Sequence, residues 1–292
     1  MKEKSKTVLA LGYFDSVHIG HRKVIETAFA AAKNTPVTVF TFGGNLKAEI
    51  YGDKEKYVYS ATERKDIFNE MGVKNVWFAP VTKEFLGISG EEFLRFLTEK
   101  FEISHFVCGK DYRFGKNGAG KVEDLKRFSE EHGIGLFVVD EVTFGKEKVS
   151  TSRIKALLDK GDIATANTLL GRSFSATGKV VSGRKEGRVL GFPTANVAID
   201  PEKQYVKYGV YFGRAKVSGK EFPSVINYGN KPTFGIVAPS LEIHIIGSDE
   251  NVYGKEITVF FDGFLRDIKK FSDEKELSYQ IEKDVKAAES KS

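Results

Sequence analysis

The chain has 292 residues, 41% hydrophobic and 29% charged, which is enough to bury two cores of ordinary size and argues against extended disorder. Its net charge of +5, from 45 basic and 40 acidic residues in mixed-sign clusters, demands no nucleic-acid partner. The single cysteine, Cys108, excludes an intramolecular disulfide, and no apolar run approaches the roughly eighteen residues of a membrane span. A cytoplasmic protein acting on small anionic molecules, without a membrane partner, is expected.

Thr7 to Leu11 is β-branched and apolar, and Val24, Ile25, Ala28 and Phe29 follow at helical spacing, so the period changes within one βα unit. His18 and His21 flank Gly20 at that change, where the free N–H groups and positive end of a helix favour phosphate. Two imidazoles three residues apart project from one side of the first turn and suit a triphosphate whose charge shifts to leaving pyrophosphate.

Pro36 precedes a second buried strand, Val37 to Phe42, which ends at Gly43 and Gly44. Helix Ala61 to Met71, strand Val76 to Val81, helix Glu91 to Lys100, strand His105 to Cys108, helix Val122 to His132 and strand Gly135 to Asp140 follow. This alternation predicts a parallel sheet with helices on both faces and ligands beyond the carboxyl ends of its strands. Two segments fall there. Gly109 to Gly120, GKDYRFGKNGAG, offers backbone N–H groups and Lys110, Arg113 and Lys116 for phosphate, with Tyr112 and Phe114 for a planar ring. Val149 to Leu158, VSTSRIKALL, opens a helix with Ser150, Thr151 and Ser152, and with Lys155 one turn further on.

Helix Ser152 to Lys160 meets Gly161, and a second, Asp162 to Leu170, ends at Gly171. Beyond Gly171 the pattern becomes short strands separated by glycine turns, which places a boundary there and gives domains 1–171 and 172–292. Strands at Phe174 to Val181, Val210 to Val217, Val225 to Asn227, Leu241 to Ile246 and Ile257 to Phe261 predict an antiparallel barrel or sandwich. Ser272 and Asp273 start a helix with Leu277, Ile281 and Val285 on one stripe, suited to covering the barrel. In SLEIHII, Leu241, Ile243 and Ile245 alternate with Glu242 and His244, which share the opposite face.

GYFDSVHIGH resembles the signature of the HxGH nucleotidyltransferases, in particular the FMN adenylyltransferase module of bacterial bifunctional riboflavin kinase/FAD synthetases. GKDYRFG resembles that module's GxDFRFG loop, and VSTSRIK its ISSTxIR/K motif. GRVLGFPTAN (187–196), NYGNKPTFG (227–235), the strand around Glu242 and YGKEITVFFDGFLRDIKKF are similar to the riboflavin kinase family. The resemblance implies an α/β protein: a Rossmann-like parallel-sheet nucleotidyltransferase domain, then an antiparallel β-barrel kinase domain with a C-terminal helix. It also implies phosphorylation of riboflavin by ATP to FMN, and adenylyl transfer from ATP to FMN giving FAD and pyrophosphate, with Mg2+.

On that resemblance His18, His21 and Glu242 are catalytic, Glu242 as the base for the ribityl hydroxyl. Gly12, Phe14, Asp15, Gly20, Gly109, Asp111, Arg113, Phe114, Ser150, Ser152, Lys155, Gly191, Pro193 and Asn196 bind nucleotide. Asn45, Phe264 and Arg266 contact flavin, and Thr194 and Asn196 serve the metal. The chain departs from the family at TFGGNL (41–46), where relatives carry TFxPHP, so Asn45 stands in place of a histidine, and at Ser16, where glycine is usual. The first departure makes an enzyme with only the kinase half active one alternative. A flavin-binding regulator associated with RNA is another, although no basic stripe with stacking aromatics favours it. The sequence leaves the oligomeric state open.

Overall fold

Val8 to Leu11 are at most 1% exposed, as the middle strand of a sheet covered on both faces requires. This strand, β1 (Lys6–Leu11), lies in a parallel sheet with β2 (Val37–Phe42), β3 (Asn75–Ala79), β4 (Glu102–Gly109) and β5 (Gly135–Val139), in the order β3-β2-β1-β4-β5. The computed structural model describes residues 6–51, 55–182, 191–231, 236–248 and 250–291. Two compact units divide the chain, Met1–Thr151 and Ser152–Ser292.

In the first unit the connections are α1 (Ile19–Ala32), α2 (Leu46–Tyr51), α3 (Ala61–Glu70), α4 (Lys83–Leu86), α5 (Gly90–Lys100) and α6 (Val122–Glu131). α1 buries Val24, Ile25, Ala28 and Ala32, and leaves Phe29 38% exposed. Capping boxes start α3 at Ser60 with Glu63 and α5 at Ser89 with Glu92. One core holds Leu9, Leu11, Phe40, Phe93, Leu97 and Phe106, and Cys108 is buried in it at the end of β4. An unexpected two-stranded hairpin, β6 (Thr143–Phe144) with β7 (Glu147–Lys148), follows β5 and leads into α7 (Thr151–Lys160).

The second unit closes into an antiparallel barrel in the order β10-β11-β12-β9-β8-β13. Its strands are β8 (Phe174–Val181), β9 (Ala195–Val197), β10 (Gly209–Val217), β11 (Lys220–Lys231), β12 (Ile236–Ile245) and β13 (Glu256–Arg266). Helix α7 and the next helix, α8 (Ile163–Leu170), pack with this unit for identifiable reasons. The Lys207 N–H donates to Leu158 O, the Asn167 amide donates to Phe261 O, and the Asn167 side-chain oxygen accepts from the Phe174 N–H. Gly171 ends α8 in the left-handed conformation, where glycine carries no Cβ penalty. The last helix, α9 (Glu274–Glu289), is capped by Asp273 and packs Val285 and Ala288 against Val210 and Val225.

Candidate active sites

In the first unit, β1 ends at a loop whose backbone is unusual. Phe14 (φ 51°) and Val17 (φ 42°) both occupy the left-handed region, which costs a non-glycine residue energy and is held only where surrounding contacts fix it. Phe14 folds back over Gly12, where a Cβ would lie 2.7 Å from the ring, and meets His21 edge-on with centroids 5.3 Å apart. His18 caps α1, its Nδ1 accepting from the His21 N–H at 3.1 Å, so a neutral His18 ring carries its proton on Nε2. The two imidazoles stack at 3.6 Å between centroids and 14° between planes. Asp15, 3% exposed, accepts from the Val58 N–H at 2.9 Å, and Ser16 shares a 2.9 Å hydroxyl contact with Thr151.

The glycine loop after β4 is pinned by a two-way bridge: the Phe114 N–H donates to Gly120 O at 3.1 Å and the Gly120 N–H to Phe114 O at 2.9 Å. A cavity of about 350 Å3 gathers Gly12, Phe14, His18, Gly20, His21, Gly109, Asp111, Arg113 and Ser150 from the expected set. It also takes in Lys148, whose ammonium donates to Asp111 and Glu141, both at 2.7 Å, and Lys110, 3.6 Å from Asp140. A neighbouring cavity of about 870 Å3 is lined by Phe42, Phe85, Phe93, Tyr112 and Phe114 among others. The two share Phe42, Leu46, Tyr112 and Arg113.

Not every expected residue faces these cavities. Asp15 lines neither, and Phe114 lines only the aromatic one. Asn45 turns to local capping: its Oδ1 accepts from the Ala48 N–H at 3.3 Å and its amide donates to Glu55 O. Ser152 and Lys155 stand on α7, in the second unit.

Sequence reasoning missed Arg64 and Lys148. Arg64 is 2% exposed and donates to Tyr13 O, Thr41 Oγ1 and Phe42 O, so it backs the carboxyl ends of β1 and β2. The available signal was an arginine on the buried face of α3, beside Ile67 and Phe68.

In the second unit, Glu242 of β12 is the register partner of Asn196 of β9, which joins two motifs 46 residues apart in the chain (242 minus 196). Leu241 and Ile243 on either side are buried, and Glu242 itself is 9% exposed on the other face. His244, two residues on, uses Nδ1 to bond Pro193 O at 2.9 Å and meets Phe192 edge-on. A cavity of about 510 Å3 is lined by Pro193, Thr194, Ala195, Ile243, Glu250 and Tyr253 among others; Asn196 and Glu242 are not in its lining. Gly191 adopts φ 82° before this segment, while 187–190 and 232–235 of the two glycine motifs lie outside the described residues. Phe264 packs edge-on to Tyr211 beneath the Lys207 ammonium. The Arg266 guanidinium is engaged by Asp284 of α9, donating at 2.7 and 3.1 Å.

Residues 1–153 match the FAD synthetase family model, and residues 170–291 match that of riboflavin kinase. The chain is 34% identical, over 98% of its length, to the bifunctional riboflavin kinase/FMN adenylyltransferase of Bacillus subtilis, of which it covers 93%. The Escherichia coli protein of that name is 29% identical, over 95% of this chain and 90% of that one. A crystal structure described as a macrolide-efflux protein from Streptococcus pneumoniae is 26% identical with a TM-score of 0.88, covering 99% of this chain and 95% of that one. Among the described residues no helix is long and apolar enough to cross a membrane. The chain belongs to the bifunctional riboflavin kinase/FMN adenylyltransferase family, with its FAD synthetase domain ahead of its riboflavin kinase domain.

Proposed function

We propose that the second unit phosphorylates riboflavin with ATP and that the first transfers AMP from ATP to FMN, releasing pyrophosphate. The reading rests above all on the shared wall of Phe42, Leu46, Tyr112 and Arg113 between the two cavities of the first unit. One cavity offers imidazoles, cations and hydroxyls for phosphates, and the other offers aromatic faces for a planar ring. A flavin mononucleotide carries both chemistries in one molecule. The replacement of a histidine by Asn45 does not strip the phosphate cavity, since His18, His21, Arg113 and Ser150 line it without help from that position.

In this reading His18 Nε2–H and His21 donate to the phosphate whose charge grows, and no protein nucleophile is needed because the FMN phosphate attacks directly. In the second unit Glu242 accepts the proton of the ribityl hydroxyl as it attacks the γ-phosphoryl group. Thr194, Asn196 and Glu242 are oxygen donors of the kind Mg2+ takes. Such an ion would neutralise phosphate charge during transfer. The riboflavin kinase match begins at residue 170, which supports a functional division near Gly171 although α7 and α8 pack with the barrel. A cytoplasmic location, where ATP is supplied, is part of the proposal.

The test follows riboflavin, FMN and FAD together. Wild-type protein with ATP and Mg2+ should convert riboflavin to FMN and FMN to FAD. Glu242→Gln should lower FMN formation by about 100-fold or more while sparing FAD formation from added FMN. Equal loss of both would refute the two-site division, and absence of FAD at high enzyme concentration would leave a kinase alone.

A further inference from the structure

Three cations line the phosphate cavity of the first unit besides its histidines, and they are not equivalent. Lys148 is held between Asp111 and Glu141, and Lys110 faces Asp140. Arg113 forms no ion pair with any described residue, and it is the one charged residue that lines both this cavity and the aromatic one.

We propose that Arg113 holds the phosphate of the acceptor mononucleotide, not that of ATP, and so makes the adenylyl-transfer site select a phosphorylated flavin over an unphosphorylated one. The inference rests on the reading of the first unit as an FMN adenylyltransferase. A flavin ring in the aromatic cavity with its phosphate directed to the histidine cavity must cross the wall that Arg113 forms. A guanidinium presents paired N–H groups in a plane, so it can grip two oxygens of a phosphate monoester and leave the third for attack. That oxygen forms a bond to the α-phosphorus of ATP, the bond from this phosphorus to its bridging oxygen breaks, and pyrophosphate departs with the electron pair. The dianionic acceptor needs no base, so a fixed cation beside it supplies alignment without a proton step.

The local backbone suits the role. Arg113 precedes Phe114, which the reciprocal bridge to Gly120 pins and which packs on Phe93. Gly118, at φ 62°, leaves room for the arginine stem, since a Cβ there would lie 3.2 Å from Arg113 Cβ. The triphosphate has separate donors in His18, His21 and Ser150, none of which lines the aromatic cavity.

The experiment measures steady-state FAD formation by the full-length protein carrying Arg113→Ala or Arg113→Lys, varying FMN and ATP separately. Arg113→Ala should raise KM for FMN by about tenfold or more, as loss of a charge-assisted pair does. KM for ATP should stay within about twofold, and Arg113→Lys should recover part of the loss by restoring charge without the fork. Riboflavin phosphorylation and the melting temperature, measured alongside, should match wild type and report an intact fold. A rise in KM for ATP with that for FMN unchanged would overturn the proposal, as would a fall in kcat with both KM values unchanged. If wild-type protein makes no FAD, the adenylyltransferase reading falls first and takes the proposal with it. FAD formation by wild type with an unchanged FMN KM in Arg113→Ala removes the proposal alone.

Discussion

Arg64 donates to the carbonyl oxygen of Tyr13 at 2.9 Å, and thereby ties helix α3 to the loop that carries the histidine pair. The same guanidinium reaches Thr41 Oγ1 and Phe42 O, and Thr41 in turn donates to Tyr13 O, so one buried cation organises the ends of β1 and β2. Burial draws its pKa below the ordinary arginine value, yet every one of these contacts needs its N–H groups. Arg64→Met strands buried acceptors at about 1–3 kcal/mol each, so the first unit should lose about 3 kcal/mol in urea denaturation. FAD formation should fall while riboflavin phosphorylation persists, and Arg64→Lys, with fewer donors in a different geometry, should recover only part of both losses.

Gly20→Ala sets helix propensity against sterics. Alanine is favoured over glycine inside a helix by about 1 kcal/mol, so the melting temperature should hold or rise. The new Cβ, however, would lie 3.0 Å from His18 Cε1 and displace the ring from its stack on His21. A shift of this kind should lower kcat for FAD formation by about tenfold. An unchanged kcat would show that the ring position is immaterial to transfer.

Cys108 is buried at the end of β4, and its thiol is pushed up to about 12 by burial, with the Asp111 charge adding to the shift. The thiolate is the reactive form, so near pH 8 the native protein should resist iodoacetamide. In denaturant the residue regains an ordinary pKa and should alkylate fully, which mass spectrometry distinguishes. Rapid modification of folded protein would contradict this burial.

Asp284→Ala removes the partner of Arg266 from a pair whose side chains are 6% and 16% exposed. Breaking a buried pair on one side costs about 3–5 kcal/mol, so the second unit should melt markedly earlier. Well below that melting temperature KM for riboflavin should stay close to wild type. A raised riboflavin KM in the still-folded variant would instead favour the flavin contact expected of Arg266.

Much of the architecture was legible because burial imposes period. β1 and α1 announced themselves by the change from a continuous apolar run to helical spacing, and Gly171 marked the end of α8 by its left-handed turn. Phe29 shares the helical spacing yet is exposed, because spacing alone does not fix how far the buried arc of a stripe extends. β9 escaped notice because three residues beside Pro193 carry no periodicity, and its strand character comes from pairing with β12 and β8. β11 and β12 extend well past the expected segments because they go on pairing with each other there, Gly229 with Ser240 and Lys231 with Ile236, and because β11, Pro223 included, pairs with β10 from Lys220 onward. At the site, the histidines and loop glycines were readable from short motifs. Arg64 and Lys148 were not, because no local motif marks them: Arg64 acts through Tyr13, Thr41 and Phe42, and Lys148 through Asp111, 37 residues back, as well as the nearby Glu141.

β9 is the shortest stave of the barrel, yet its pairings on both sides complete the ring; Thr194 directly precedes it and Asn196 is its middle residue. The segment proposed to receive nucleotide is therefore also the seam of the container. Whatever grips Thr194 and Asn196 favours the closed ring by mass action, by RT ln(1 + [L]/Kd). Occupancy should accordingly be written into the amide-exchange protection of β8 and β12 as well as into turnover, so that the barrel reports its own cargo.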